Sequence, residues 1–285
     1  MRSVSFFTAC LINSRIFISL SALLLCLHTN LQLGQPLDGP FACFAFFSTF
    51  FCYRLFSESL LLQRGWKAVS GSTEIITLLA GIIAFLLLFL IEPAQQKYLI
   101  PAVIFALLYA IPLFESSAIA MQKAAKLLPG RQKGLSKLLL ICLTWSWTTV
   151  VLPYAGRPDN IPYLILAGSV VSRALFIAGL TIPFDIRDRL LDGPNMKTIP
   201  QRFGVNTSLF IAVFALLLAA LLLICLAFRH AQASPFFLAE AAGTVVAIPL
   251  ILASPKQPAG LYFTGILDGL LVLTPLFSLV IKGFQ

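Results

Sequence analysis

Three aspartates stand close together in the second half of the chain, after a long apolar run. Asp185, Asp188 and Asp192 are spaced i, i+3 and i+7. If the apolar helix before them continues, the three carboxylates fall on one helix face, within about 60° of arc. Crowded carboxylates repel one another unless a cation joins them, and such oxygen ligands favour Mg²⁺ together with the phosphate oxygens of a substrate. The spacing therefore predicts a magnesium and phosphate site.

Basic residues follow these aspartates. Lys197 and Arg202 supply N–H donors able to hold the same phosphate oxygens. The alternative is a solvated loop of mixed charge, in which Arg187 and Arg189 balance the acids. The regular spacing of the aspartates and their position at a membrane face favour the functional interpretation.

The rest of the chain is dominated by apolar residues. Of 285 residues, 59% are hydrophobic and 11% are charged, and the mean hydropathy is +0.94. A soluble globular chain has about 25% charged residues, so charge this sparse cannot cover the surface of a water-soluble domain. The composition excludes a soluble enzyme, a secreted disulfide scaffold, a disordered chain and a free-standing nucleic-acid binder. It predicts a single polytopic membrane domain over residues 1–285.

Nine apolar segments are predicted to cross the membrane as helices, since a span needs roughly 20 residues. Unbroken apolar runs favour helices because lipid cannot satisfy open backbone groups. The first run lacks a small-residue cleavage site, so it is predicted to be a retained helix. The predicted spans are Leu11–Thr29, Pro40–Ser57, Thr73–Ile91, Leu99–Ser117, Lys137–Pro153, Pro162–Phe184, Val205–Phe228, Pro235–Ala253 and Gly260–Ile281.

The distribution of basic residues predicts the orientation of these helices. With the N-terminus inside, fifteen Lys and Arg residues fall in the inner segments and four in the outer ones. Inner loops of membrane proteins carry the excess of Lys and Arg, so the N-terminus is predicted to be cytoplasmic. The three aspartates then lie on the cytoplasmic side, which in a bacterium means the cytoplasmic (inner) membrane.

Other kinds of metal site are not indicated by the sequence. Six cysteines lie in or beside apolar runs without a C-x-x-C pair, and the two histidines, His28 and His230, stand alone. Thiols in such runs are typically buried small hydrophobes. A zinc, haem or iron–sulfur site is therefore not predicted.

A motif that begins at Asp185 resembles the second aspartate-rich motif of the UbiA superfamily of intramembrane prenyltransferases. It reads D-x-x-D-x-x-x-D followed by K-T-x-P-x-x-x-G. The resemblance implies an all-α bundle of nine transmembrane helices with aspartate motifs at the cytoplasmic ends of helices 2 and 6. It also implies that Mg²⁺ joins the aspartates to an isoprenyl diphosphate, whose prenyl group passes to a lipophilic acceptor. Asp188 and Asp192 would be catalytic metal ligands, Asp185 a further ligand, and Lys197 a diphosphate contact.

The first motif of that family, N-x-x-x-D-x-x-x-D, is degenerate in this chain. The best matching positions near the end of helix 2 are Thr49, Tyr53 and Ser57, with Glu58 as the nearest acid. Two carboxylates are missing, so the two-sided metal cage of the family cannot form here. Two alternatives remain open: Tyr53, Arg54, Ser57 and Glu58 hold the diphosphate in another way, or catalysis has been lost.

Two hypotheses about function follow. The first is a prenyltransferase in which Arg54 and Arg64 join Lys197 and Arg202 in holding the diphosphate in a basic rim. The second is a catalytically silent relative that binds a prenyl lipid or a protein partner. A secondary transporter would carry inverted repeats with broken helices, and the sequence shows neither.

Two ionisable residues are predicted to lie at membrane depth, Arg173 in helix 6 and Asp268 in helix 9. Charges at such depth are costly and normally face the bundle interior or a wet cavity. A direct Arg173–Asp268 ion pair would be structural, whereas an Arg173 that faces the cavity could bind substrate. Arg173 lies about 18 Å from Asp185 along the helix, too far to share the metal site, so we expect the structural role.

Overall fold

The protein is all-helical in the part of the chain that the computed structural model describes, which comprises residues 15–57, 72–110, 134–155, 162–189, 197–255 and 262–284. These residues form nine helices and no strand. The first four helices are α1 (Ile16–Gln32), α2 (Gly39–Ser57), α3 (Ser72–Leu87) and α4 (Pro93–Ala110).

The second half of the chain contains the longest helices. Helix α5 begins as Gly134–Ser146, widens into a π-helical segment at Trp147–Val151 and ends with Leu152–Tyr154. The remaining helices are α6 (Tyr163–Asp188), α7 (Ile199–Arg229), α8 (Ser234–Leu252, preceded by the 3₁₀ turn Ala231–Ala233) and α9 (a π-helical start at Tyr262–Leu267 followed by Asp268–Gly283).

Each predicted span overlaps one of these helices, and five of the helices are long and apolar enough to cross a membrane. The five are Leu135–Tyr154, Tyr163–Asp188, Ile199–Arg229, Ala231–Leu252 and Tyr262–Gly283. Two shorter apolar helices, Ile16–Gln32 and Ile75–Leu87, accompany them. The fold is thus that of an integral membrane protein built from apolar helices.

Contacts between helix ends give the relative directions of several helices. Lys137 at the start of α5 contacts Asp185 at the end of α6, and Arg187 at the end of α6 lies over the Phe263 ring at the start of α9, so α6 runs antiparallel to both. At the opposite end of the bundle, Gln95 near the start of α4 donates to Asp38 just before α2, so α2 and α4 run in the same direction. The end that holds the α6–α7 connection is called the site end below, and the opposite one the far end.

Helices α6 and α7 pack at close range within the main hydrophobic core, to which α1, α5, α8 and α9 also contribute. A Cβ added to Gly179 would lie 2.6 Å from the side chain of Leu216, so a larger residue at Gly179 would push the two helices apart. Phe176 and Leu180 of α6 meet Ala212 and Leu216 of α7 in the main hydrophobic cluster.

The outer faces of α3, α4 and α7 expose large apolar side chains. An apolar outer surface suits a bundle surrounded by lipid, because the hydrocarbon core offers no hydrogen-bond partners. These exposed residues include Ile75, Leu79, Phe85, Leu86, Ile100, Val103, Phe210, Phe214 and Leu221.

Candidate functional site

The first aspartate of the motif is buried in an ion pair at the site end. Asp185 lies in the last turn of α6 with 1% of its side chain exposed, and its Oδ1 is 2.7 Å from Nζ of Lys137. Lys137 comes from the first turn of α5, so this contact joins the beginning of α5 to the end of the following helix, 48 residues further along the chain. Burial of both groups makes the contact expensive to break, since the remaining partner would keep an uncompensated charge.

The second aspartate is paired with its own neighbour. Both carboxylate oxygens of Asp188 accept hydrogen bonds from Arg187, one from Nε at 2.6 Å and one from Nη2 at 2.7 Å. The guanidinium also lies 5.2 Å from the ring centroid of Phe184 and 4.8 Å from that of Phe263, distances typical of cation–π contacts. Asp188 retains 27% exposure and is the more accessible of the two acids.

The predicted magnesium ligands are brought together in part. Asp185 and Asp188 share the last turn of α6, whereas Asp192 lies outside the described residues. Among the described residues, no group of three His, Cys, Asp or Glu side chains is placed to hold a metal ion. Carboxylate oxygens fit Mg²⁺ chemically, and an ion bound at Asp188 would share this carboxylate with Arg187 or displace one of its two hydrogen bonds.

The predicted diphosphate contacts lie where α7 begins. Lys197 is exposed and has a left-handed backbone, with φ of 51°. Gln201 accepts from the Thr198 N–H at 3.1 Å and donates to the Arg189 carbonyl at 3.3 Å, which ties the start of α7 to the end of α6. Arg202 is exposed in the first turn of α7, so both cations are accessible at the site end.

Gly204 interrupts α7 near its start, directly before the predicted span Val205–Phe228. Its φ of 79° and ψ of 169° interrupt the helical backbone of α7. A residue with a Cβ is strained at positive φ, and no neighbouring atom lies within 4 Å of the Cβ that would be added. The requirement for glycine is therefore one of backbone angle rather than of space.

The degenerate first motif lies on α2, which has no carboxylate between its first and last residue. Thr49 and Tyr53 are half-buried, and Tyr53 packs against the main hydrophobic cluster, which also contains Ile186 of α6. Arg54 is buried in the last turn of α2, and Ser57 is its final residue. The predicted contact Arg64 and the acid Glu58 lie outside the described residues.

Sequence reasoning missed a buried polar network centred on Glu240 of α8. One oxygen of Glu240 contacts His28 Nε2 at 3.1 Å and accepts from Gln32 Nε2 at 2.6 Å, both on α1; the other accepts from Arg173 Nε of α6 at 3.0 Å. The expected Arg173–Asp268 pair is therefore wrong, because Arg173 is bound to Glu240. The buried network, as named below, consists of Glu240, His28, Gln32, Arg173 and Thr149.

Thr149 extends this network to α5, inside the π-helical segment. Its hydroxyl accepts a hydrogen bond from Arg173 Nη1 at 3.1 Å, and its carbonyl accepts one from the Thr29 hydroxyl at 2.6 Å. A signal for the network was present in the sequence, since Glu240 is an acid inside a predicted span and such residues are rare. His28, which stands alone in the sequence, finds its partner 212 positions away.

A cavity of about 290 Å³ opens at the far end, away from the aspartates. It is lined by the ends of α1 and α9, the segment after α1 and the start of α8. The lining residues are Leu31, Gly34, Gln35, Pro36, Leu37, Gln232, Phe236 and Lys282.

Comparison with known proteins finds no family model, no curated protein and no solved structure that matches this chain.

Proposed function

We propose that this chain is an intramembrane prenyltransferase, similar to the UbiA superfamily, that binds an isoprenyl diphosphate at the connection between α6 and α7. The observation that carries the proposal is the position of the aspartate motif at the end of an apolar helix long enough to cross a membrane. An isoprenyl diphosphate has a charged head and an apolar tail. Its site must therefore join a polar membrane face to an apolar interior, and the end of α6 offers both.

The cations near this connection hold the diphosphate head. Lys197 and Arg202 are exposed beside the end of α6, and Arg54 comes from the last turn of α2. Arg64, on the connection after α2, is assigned to the same task. Hydrogen bonds from these cations to phosphate oxygens are charge-assisted, which makes them stronger than neutral ones.

The carboxylates of the motif bind the counter-ion of the diphosphate. Mg²⁺ would be held by Asp188 and Asp192, with Asp185 as a further ligand, and it supplies Lewis-acid assistance to the departure of the diphosphate. The diphosphate leaves with both electrons of the broken carbon–oxygen bond. The lipophilic acceptor forms a bond to the prenyl carbon and loses one proton.

The site end is proposed to face the cytoplasm. Loops on the cytoplasmic side of a membrane carry the excess of Lys and Arg. In the described residues, the helix ends at the site end carry more Lys and Arg than those at the far end. The basic residues of the site end are Arg15, Arg54, Lys137, Arg187, Arg189, Lys197 and Arg202, and those of the far end are Lys97, Arg229 and Lys282.

A catalytically silent relative that binds a prenyl lipid or a protein partner is the second candidate. Two observations favour it: Asp185 and Asp188 already contact Lys137 and Arg187, and α2 supplies no carboxylate within its bounds. A protein of this kind would hold the prenyl diphosphate without turning it over.

The two candidates are separated by an assay on the purified full chain in detergent. The chain is incubated with Mg²⁺, labelled farnesyl or geranylgeranyl diphosphate and a membrane lipid extract. A labelled lipid product, lost in Asp188→Ala and in Asp192→Ala, supports the transferase. Tight binding without product supports the silent relative.

A matched control is Glu92→Ala, which removes an exposed carboxylate at the far end and is expected to leave binding and turnover unchanged. If both aspartate variants bind the diphosphate as well as the original chain does, the assigned site is wrong. Absence of any binding, with or without Mg²⁺, contradicts the transferase and a silent relative that binds a prenyl diphosphate.

A further inference from the structure

Arg187, in the last turn of α6, is held in place by three side chains. Its Nε and Nη2 donate to the two carboxylate oxygens of Asp188 at 2.6 and 2.7 Å. Its guanidinium carbon lies 5.2 Å from the ring centroid of Phe184 and 4.8 Å from that of Phe263. Phe263 is fully buried at the start of α9, so the guanidinium is fixed against two helices.

Asp188 uses only part of the hydrogen-bonding capacity of this guanidinium. An arginine side chain carries five N–H donors, and Asp188 receives one from Nε and one from Nη2. Three N–H bonds remain, two on Nη1 and one on Nη2. The Arg187 side chain is 21% exposed, so it is not sealed inside the bundle. An anion that approaches Asp188 from solvent therefore meets N–H donors as well as a carboxylate.

Both described acids of the aspartate motif already contact a cation of the protein. Asp188 is paired with Arg187, and Asp185 is paired with Lys137 at 2.7 Å. Carboxylates without such partners would repel a diphosphate until a metal ion joined them. Because each of these carboxylates is balanced within the protein, the end of α6 tolerates an anion without a metal ion.

The contacts of Arg187 suit it to bind phosphate oxygens. A guanidinium is planar and donates two parallel N–H bonds to phosphate, which a lysine ammonium does not do. A side chain whose position is set in advance also loses less conformational entropy when a ligand binds. The rings of Phe184 and Phe263 maintain this position when Asp188 changes its partner, because neither ring contact involves the carboxylate.

We propose that Arg187 is a diphosphate-binding residue that serves as a built-in cation of the aspartate motif, so that part of the binding of an isoprenyl diphosphate needs no Mg²⁺. The inference rests on the proposed function, since it concerns the same site and the same ligand. Arg187 donates to phosphate oxygens through the N–H groups that Asp188 leaves free. Asp188 thus orients the guanidinium and also competes with the ligand for it.

The test measures equilibrium binding of farnesyl diphosphate to the purified full chain in detergent, first with EDTA and then with Mg²⁺. The EDTA condition isolates the binding that needs no divalent ion. Arg187→Gln removes the cation and should weaken binding in EDTA by about tenfold to a hundredfold, the loss expected for a hydrogen bond to a charged group. Arg187→Lys keeps the charge without the planar donors, so it should recover only part of the affinity.

Asp188→Asn separates ligand binding by Arg187 from a purely structural role. In EDTA this variant removes the charge that competes for Arg187, so binding should stay unchanged or become tighter. With Mg²⁺ the same variant should bind less tightly, because a proposed metal ligand is lost. If Arg187 only supported the end of α6, Arg187→Gln and Asp188→Asn would break the same contact and weaken binding alike in EDTA, which would overturn the proposal.

Arg189→Gln is the matched control. It removes the same charge from an exposed position at the same end of α6, and it should weaken binding in EDTA far less than Arg187→Gln does. An equal loss in both variants would overturn the proposal, because only the overall charge would then matter. Circular dichroism checks that each variant is folded. If Arg187→Gln does not fold, Asp188→Asn still decides, since weaker binding than in the original chain in EDTA contradicts the proposal.

The same measurements distinguish a failure of this proposal from a failure of the proposed function. If the original chain binds farnesyl diphosphate only with Mg²⁺, or if Arg187→Gln binds it equally well in EDTA, the inference about Arg187 is wrong and the proposed site stands. Absence of binding to the original chain in both conditions contradicts the proposed function, and the inference about Arg187 with it.

Discussion

The site end and the buried network use the same side-chain chemistry in opposite ways. At the site end, Asp188 pairs with the adjacent residue of its own helix and keeps 27% exposure. In the buried network, Glu240 is 2% exposed and receives contacts from α1 and α6. A pair between neighbours can open without moving a helix, whereas the contacts of Glu240 break only if helices separate.

This difference indicates a division of tasks between the two regions. An ion pair near the surface contributes little to stability, typically about 0–1 kcal/mol, so a ligand can replace one of its partners at small cost. A buried charge that loses its partner costs about 3–5 kcal/mol. The site end is therefore suited to exchange of ligands, and the buried network to holding four helices in register.

The largest effect is expected from Glu240→Gln. The change keeps the size of the side chain but leaves Arg173 as a buried charge without a counter-ion, so the unfolding free energy should fall by about 3–5 kcal/mol. The measurement is unfolding of the purified chain by SDS in mixed micelles, followed by circular dichroism. The double variant Arg173→Met with Glu240→Met should lose less, and an equal loss in both variants would contradict the argument from uncompensated charge.

A smaller effect is expected from Lys137→Met. Asp185 would keep its buried carboxylate and lose a charged hydrogen bond, which costs about 1.5–3 kcal/mol. The same unfolding measurement applies. Lys97→Met, which removes an exposed lysine at the far end, is the matched control and should change stability by less than either variant.

The smallest effect on stability is expected from Asp188→Asn. Its ion pair with Arg187 is partly exposed, so the loss should be within about 1 kcal/mol. On the proposed function, the same variant should weaken Mg²⁺-dependent binding of the prenyl diphosphate by about tenfold or more, since even the loss of a group that only supports a metal ligand typically costs about 10–100-fold in affinity or activity. A large loss of stability without a change in diphosphate binding would show that Asp188 supports the fold, and would contradict the difference drawn between the two regions.

Much of the fold could be predicted because the apolar runs are long and few charges interrupt them. Every predicted span overlaps a described helix, and the i, i+3 spacing of Asp185 and Asp188 places both on the last turn of α6. The pairing of Asp188 with Arg187 agrees with the mixed-charge alternative in the sequence, but the partner of Asp185 could not be predicted. Asp185 meets Lys137 because α5 and α6 are antiparallel neighbours, and helix order in space is decided by packing.

The mistaken Arg173–Asp268 pair has the same cause. Sequence position placed both residues at membrane depth, and that left two further intramembrane groups, Glu240 and His28, out of consideration. The correct partner depends on which faces of α1, α6 and α8 meet. Which side chains meet on those faces depends on how the helices pack in three dimensions. The residues in contact lie up to 212 positions apart in the sequence.

The amino-acid sequence determines that this is a helical membrane protein with an aspartate motif at the end of one long helix, because hydropathy and local spacing act within single segments. Only the tertiary structure decided which charges neutralise one another. Burial makes those pairings expensive to leave unmade, and burial exists only once the helices have packed.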